Sequence, residues 1–166
     1  RWQEDVIDLR PDVLSVFVGT NDAERHLGRL LRADDPKTVP DFDFADWERT
    51  YRGLLDQARQ ANPALKIVLC TPFAAPCGKI VEGALGEYYP LRQRILAQCC
   101  VIVERIAADY GATLVPFHRL IADLETRLPN GDATYWVWDG IHPTPAGQRL
   151  MADCWIGAAA RSGVME

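Results

Sequence analysis

Val13-Leu14-Ser15-Val16-Phe17-Val18-Gly19-Thr20-Asn21-Asp22 joins a short apolar run, rich in β-branched residues, to a glycine and three polar residues. A nearly continuous run of this kind is what a strand covered on both faces requires, whereas a half-exposed strand would alternate. Gly19 ends the strand and opens a loop. In open parallel sheets the reactive loops lie past the carboxyl ends of the strands, and Gly19-Thr20-Asn21-Asp22 stands in that place.

The rest of the chain repeats the alternation. Trp2, Val6 and Leu9 are spaced for one helix face over residues 2–9, which Pro11 stops. The stretch from Leu27 to Pro40, with Asp34-Asp35-Pro36, reads as an irregular excursion. Asp43 is placed to cap a helix whose stripe is Trp47, Tyr51, Leu54, Leu55 and Ala58, running to Asn62-Pro63. Lys66 to Cys70 is the next strand, and Thr71 to Gly86 is a Pro- and Gly-rich loop. Leu91, Ile95, Cys99, Ile102, Ile106 and Tyr110 mark a long helix ended by Gly111. Thr113 to Pro116 predicts a third strand, His118 to Leu128 a short helix or lid, and Pro129-Asn130-Gly131-Asp132 a turn. Thr144-Pro145 has the form of the cap and first turn of a last helix through Ala160. Strand and helix in alternation predict an α/β sandwich around a parallel sheet. Three strands are few for such a core, so an N-terminal piece is expected to precede Arg1.

Bulk properties narrow the function. The 166 residues suit one domain. Eighteen basic residues against 23 acidic ones give a formal charge of −5, with no basic stripe to meet a phosphate backbone, so nucleic acid is not an expected partner. The apolar runs are far shorter than the roughly 20 residues a bilayer span needs. Cys70, Cys77, Cys99, Cys100 and Cys154 lack metal-site spacing and read as mostly buried, unbridged thiols of a reducing compartment, with one disulfide in an exported enzyme as the competing reading.

Two constellations carry chemistry. A side-chain amide at Asn21 can donate to an oxygen on which negative charge develops, and Asp22 can hold the loop through backbone hydrogen bonds; both residues also fit plain turn chemistry. In Trp138-Asp139-Gly140-Ile141-His142-Pro143, a carboxylate and an imidazole three positions apart can meet, leaving Nε2 of His142 to take a proton from an alcohol. A helix-cap histidine is the plainer account. His118 reads as structural, and so does His26, although it follows the Asn21 loop and could stand at the rim of the site. Trp136 and Trp138 offer flat faces beside His142 for a sugar ring or small acyl group, and fit a core or interface role as well. No nucleophile is evident. Ser15 lies inside a strand, Ser162 lies past the last helical stripe, and Cys77 is a poor substitute.

With these motifs in view, the chain resembles the SGNH hydrolases, also called the GDSL family, in their acetylxylan esterase branch. Gly19-Thr20-Asn21-Asp22 looks like the family's third block and Asp139-Gly140-Ile141-His142 like its last. Arg1-Trp2-Gln3-Glu4-Asp5-Val6-Ile7, Arg10-Pro11-Asp12 and Thr71-Pro72-Phe73 look like the branch. The resemblance implies a three-layer α/β/α sandwich, flavodoxin-like, with residues 1–166 forming the C-terminal portion of a single domain. It implies a serine block and a glycine block, on two further strands, in about 45 to 60 residues ahead of Arg1. Asn21 would be an oxyanion donor, His142 the general base and then acid, and Asp139 its orienting partner. The activity implied is hydrolysis of O-acetyl groups on short xylose oligomers in the cytoplasm, by a homo-oligomer, without metal or cofactor. A short-chain carboxylesterase, lysophospholipase or thioesterase is the neighbouring expectation. A glycan-binding module or inactive fragment is the expectation if the serine is truly lost.

Overall fold

The structure is a computed structural model and describes residues 1–127 and 133–165. Strands β1 (Val13–Phe17), β2 (Lys66–Cys70) and β3 (Thr113–Val115) form one parallel sheet in that order. Val13 lies opposite Lys66 and Phe17 opposite Cys70, while Val68 lies opposite Thr113. All three carboxyl ends therefore fall at one edge of the sheet. Helices α1 (Thr20–Arg32), α2 (Phe44–Ala61), α3 (Gly83–Glu87), α4 (Tyr89–Tyr110), α5 (Phe117–Arg127) and α6 (Pro145–Ser162) fill the connections.

The central strand shows why the apolar run is unbroken. Ile67 and Leu69 of β2 face Tyr51 and Leu55 of α2 and Ile102, Val103 and Ile106 of α4. Val68 and Cys70 face the other way, toward Phe117 and Ile121 of α5 and Met151 and Ala158 of α6. Strand side chains alternate, so a helix layer on each side demands apolar residues at every position. Each fully buried Leu or Val contributes about 1.5 to 3 kcal/mol. The sandwich expected from the sequence is the one observed.

Several local expectations are met. The Asp43 carboxylate accepts from Asp46 N at 2.9 Å, the Thr144 hydroxyl accepts from Gly147 N at 3.2 Å, and Gly111 ends α4 in the left-handed region with φ 60. Two differ. The first helix is a π-helical segment of five residues, Gln3–Ile7, shorter than the span the apolar spacing suggested. Residues 20–32, expected as a loop running into an irregular stretch, are helix α1. Gly19, at φ 123, supplies the N-terminal turn, and Ala23, Leu27 and Leu30 bury one face at helical spacing against Ile95 and Cys99 of α4. The Pro129–Asp132 turn lies outside the described residues.

Candidate active site

Residues Gly19 to Asn21 turn sharply from β1 into α1, and the turn is possible because residue 19 lacks a side chain. A Cβ there would stand 2.9 Å from Cγ of Pro72 and 3.5 Å from Cζ2 of Trp47, in a backbone conformation unfavourable to any other residue. Thr20 donates its hydroxyl to Phe73 O at 3.1 Å, tying this turn to the loop after β2. Asp22 holds the turn through backbone and side chain together: its N–H donates to Gly19 O at 3.1 Å, and its carboxylate accepts from Trp47 Nε1 and Arg25 Nη1, both at 3.2 Å. Asn21, in the first turn of α1, is exposed, and its amide makes no hydrogen bond among the described residues. The positive end of the helix backs it.

The second half is a tight turn closed by an isolated antiparallel bridge between Val137 and Pro143, made by two hydrogen bonds: Trp138 N donates to His142 O at 3.2 Å, and Thr144 N donates to Trp136 O at 2.9 Å. Inside it, one oxygen of Asp139 accepts from Ile141 N at 3.0 Å and His142 N at 2.8 Å, and the other meets His142 Nδ1 at 2.7 Å. Desolvation pushes the Asp139 carboxyl up, but the backbone and ring hydrogen bonds of His142, with that of Ile141, outweigh it and hold the group below the usual carboxylate range. The Asp139 side chain is only 15% exposed while that of His142 is 66% exposed, so the acid is sheltered and the imidazole reaches solvent.

The two halves face one another. A cavity of about 260 Å³ is lined on one side by Phe17 through Asn21 and on the other by Ile141, His142 and Pro143. Asn21 and His142 thus meet at one cleft, past the carboxyl end of β1. Phe17 stacks on Phe73 at 6.1 Å and lies edge-on to Phe117 at 5.2 Å, which gives the cleft an apolar floor. Phe17 and Val18 are not evident from sequence because an apolar residue at a strand end looks like any core residue. Among the described residues no three His, Cys, Asp or Glu side chains are grouped to hold a metal ion.

The other candidates are elsewhere. Trp138 stacks on the His142 ring at 6.0 Å and is exposed, whereas Trp136 packs against the core beneath α6 with its indole N–H buried and without a partner among the described residues. His26 does not stand at the rim: it is buried against the edge of Phe42 and faces a separate cavity beside Leu30 and Ile95. Burial, with Arg29 nearby, lowers its pKa despite Asp41. Nδ1 of His118 is engaged by the Thr71 hydroxyl at 2.7 Å. Ser15 accepts from Trp155 Nε1 at 3.0 Å on β1, and Ser162 bonds Thr113 and Ala159 at the opposite end of the sheet from the cleft. Cys77 is buried and donates to Val137 O at 2.9 Å.

The fold agrees with the comparisons to known proteins. The model of the GDSL-like Lipase/Acylhydrolase family matches residues 1–150, and the chain belongs to that family. It is 31% identical over 159 residues to an acetylxylan esterase of Geobacillus stearothermophilus, covering 94% of this chain and 63% of that one. The crystal structure of that organism's acetylxylan esterase Axe2 superposes with a TM-score of 0.71 at 26% identity, over 95% of this chain and 64% of the other. A GDSL-like lipase structure from Parabacteroides merdae gives a TM-score of 0.77 at 27% identity, over 99% and 66%. The chain therefore spans just under two thirds of the length of these relatives. Among the described residues no helix is long and apolar enough to cross a membrane.

Proposed function

We propose that this chain is the C-terminal portion of a single serine esterase domain that removes short acyl groups, foremost O-acetyl groups on carbohydrates such as xylooligosaccharides. The observation that carries the reading is the His142 imidazole, held at Nδ1 by Asp139 at 2.7 Å and exposed across a cavity from the unengaged amide of Asn21. An imidazole so oriented is a base at Nε2, and an amide donor across a small cavity suits an oxyanion. Similarity to the acetylxylan esterase favours acetylated glycans over lipid substrates.

The nucleophile is a serine contributed by the part of the protein ahead of Arg1. Among the described residues β1 is an edge strand, and Phe17 and Val18 at its carboxyl end are each 45% exposed, as befits a surface that another strand would cover. That serine's Oγ attacks the acetyl carbonyl carbon and passes its proton to Nε2 of His142, while Asn21 donates to the carbonyl oxygen as it becomes negative. The tetrahedral intermediate collapses, the C–O bond to the sugar breaks, and His142 returns the proton to the departing hydroxyl. Water, deprotonated by His142, then attacks the acyl-enzyme carbonyl, the bond to the serine Oγ breaks as His142 returns the proton to that oxygen, and acetate leaves. Asp139 keeps the ring oriented and stabilises its charged form.

We also place the enzyme in the cytoplasm, supported by five cysteines with no disulfide among them, and infer a homo-oligomer, supported by the exposed Trp138, Tyr135 and Ile156. The test uses the full-length protein. Acetate release from acetylated xylooligosaccharides and one fluorophosphonate adduct by intact mass, both abolished in His142→Ala, are expected. Neither acetate release nor an adduct in the parent would overturn the esterase reading in favour of a glycan-binding module.

A further inference from the structure

Asn21 and His142 are carried by different elements, so the distance across the cleft depends on whatever joins α1 to the 137–143 turn. We propose that the ion pair between the buried Arg92 and the partly exposed Glu24 is the strut that sets this distance, making Arg92 and Glu24 positioning residues for the reaction. The inference rests on the esterase reading above and goes beyond it by naming what holds the two halves in register.

Arg92, on α4, is fully buried, an unusual place for a guanidinium. Its Nε and Nη2 donate to the two carboxylate oxygens of Glu24 at 2.5 and 3.1 Å, and its Nη1 donates to Ile80 O at 3.2 Å. Glu24 lies three residues beyond Asn21 on α1, about one turn along, so a shift of one carries the other. Ile80 belongs to the 3₁₀ turn Gly78–Val81 in the loop after β2, and this loop is the seat of the His142 turn. The Ile80 side chain fills the space over Gly140 that a Cβ would need. Ala75 N donates to Gly140 O at 2.8 Å, and a Cβ on Gly78 would stand 2.6 Å from Cα of Asp139. A continuous set of contacts thus runs from Asn21 through Glu24, Arg92, Ile80 and Gly140 to Asp139 and His142.

Stability alone is a poor account of this pair. Desolvating a guanidinium fully and its carboxylate partner in large part often costs as much as their attraction returns, and apolar replacements of similar volume are frequently neutral. Three planar contacts from one guanidinium fix direction as well as distance, which an ammonium cannot do. A displacement of about 1 Å in a catalytic constellation can lower turnover about a hundredfold.

The test compares kcat and KM on p-nitrophenyl acetate for the full-length parent, Arg92→Lys, the double variant Glu24→Leu with Arg92→Met, and His142→Ala, with thermal melts on each. The double variant is expected to fold with a melting temperature close to the parent's, yet to lose about tenfold or more in kcat with KM changed by less than about twofold. Arg92→Lys, which keeps the charge but not the fork, is expected to show the same split and decides the matter if the double variant does not fold. A kcat within about twofold of the parent in the folded variant overturns the strut. Parental activity that does not depend on His142 overturns instead the esterase reading on which it stands.

Discussion

The Asp139 carboxylate makes three hydrogen bonds with the residues two and three positions on, two from the backbone N–H groups of Ile141 and His142 and one with the His142 ring. That arrangement is local, which is why Asp-x-x-His was legible as a unit in the sequence. Its pH consequence has a definite sign. A carboxyl whose folded pKa lies below its unfolded value of about 3.9 stabilises the fold fully above that value, and the contribution disappears as pH falls through the folded pKa. Asp139→Asn should therefore flatten the stability profile below about pH 4, as read by urea midpoints across the acid range. Asn21 is the opposite case, exposed and unengaged among the described residues, so its removal should cost little folding energy. Asn21→Ala in the full-length protein should lower kcat by about 10² to 10³ with its melting temperature almost unchanged, measured by steady-state acetate release. Arg92 was not singled out from the sequence, although a signal existed: it precedes Ile95, Leu96 and Cys99 by three, four and seven positions, which puts a charge on the buried stripe of α4.

Helix α1 was hidden by its own composition. Asp22, Glu24, Arg25, Arg29 and Arg32 dilute the apolar stripe of Ala23, Leu27 and Leu30, and a glycine after a strand suggests a loop before it suggests a helix start. The stripe is present at positions i, i+4 and i+7, so the helix was readable in principle. The loop after β2 is different, because nothing local shows that Gly78 and Ile80 pack beneath the turn from Asp139 to His142. Gly140 is the point of closest approach, at φ 90 and with a Cβ position that would collide with Ile80 and stand 2.6 Å from Cys77 O. Gly140→Ala is expected to destabilise by more than about 1 kcal/mol and to reduce activity beyond what the loss of folded protein explains. Urea unfolding set beside kcat per folded molecule checks both.

Across the molecule, the sheet buries thiols on both of its faces. Burial pushes the Cys70 thiol up to about 11, and Cys99 and Cys100 up to about 12, while Cys154 is only half-buried. A disulfide-exchange reagent at neutral pH should accordingly modify Cys154 before the other four, and all five after denaturation, as followed by intact mass. Labelling of all five at one rate in the native protein would contradict this packing. The sequence alone determined the α/β order of elements, the three strands and the two polar motifs, because strand hydrophobicity, helix caps and the Asp139–His142 pair depend on neighbours in the chain. Only the tertiary structure decided that Asn21 and His142 share a cleft, that Trp136 joins the core and Trp138 stacks on His142, and that Arg92 reaches Glu24 and Ile80. Those relations join residues far apart in the chain, and the packing of α1, α4 and the loop after β2 sets them.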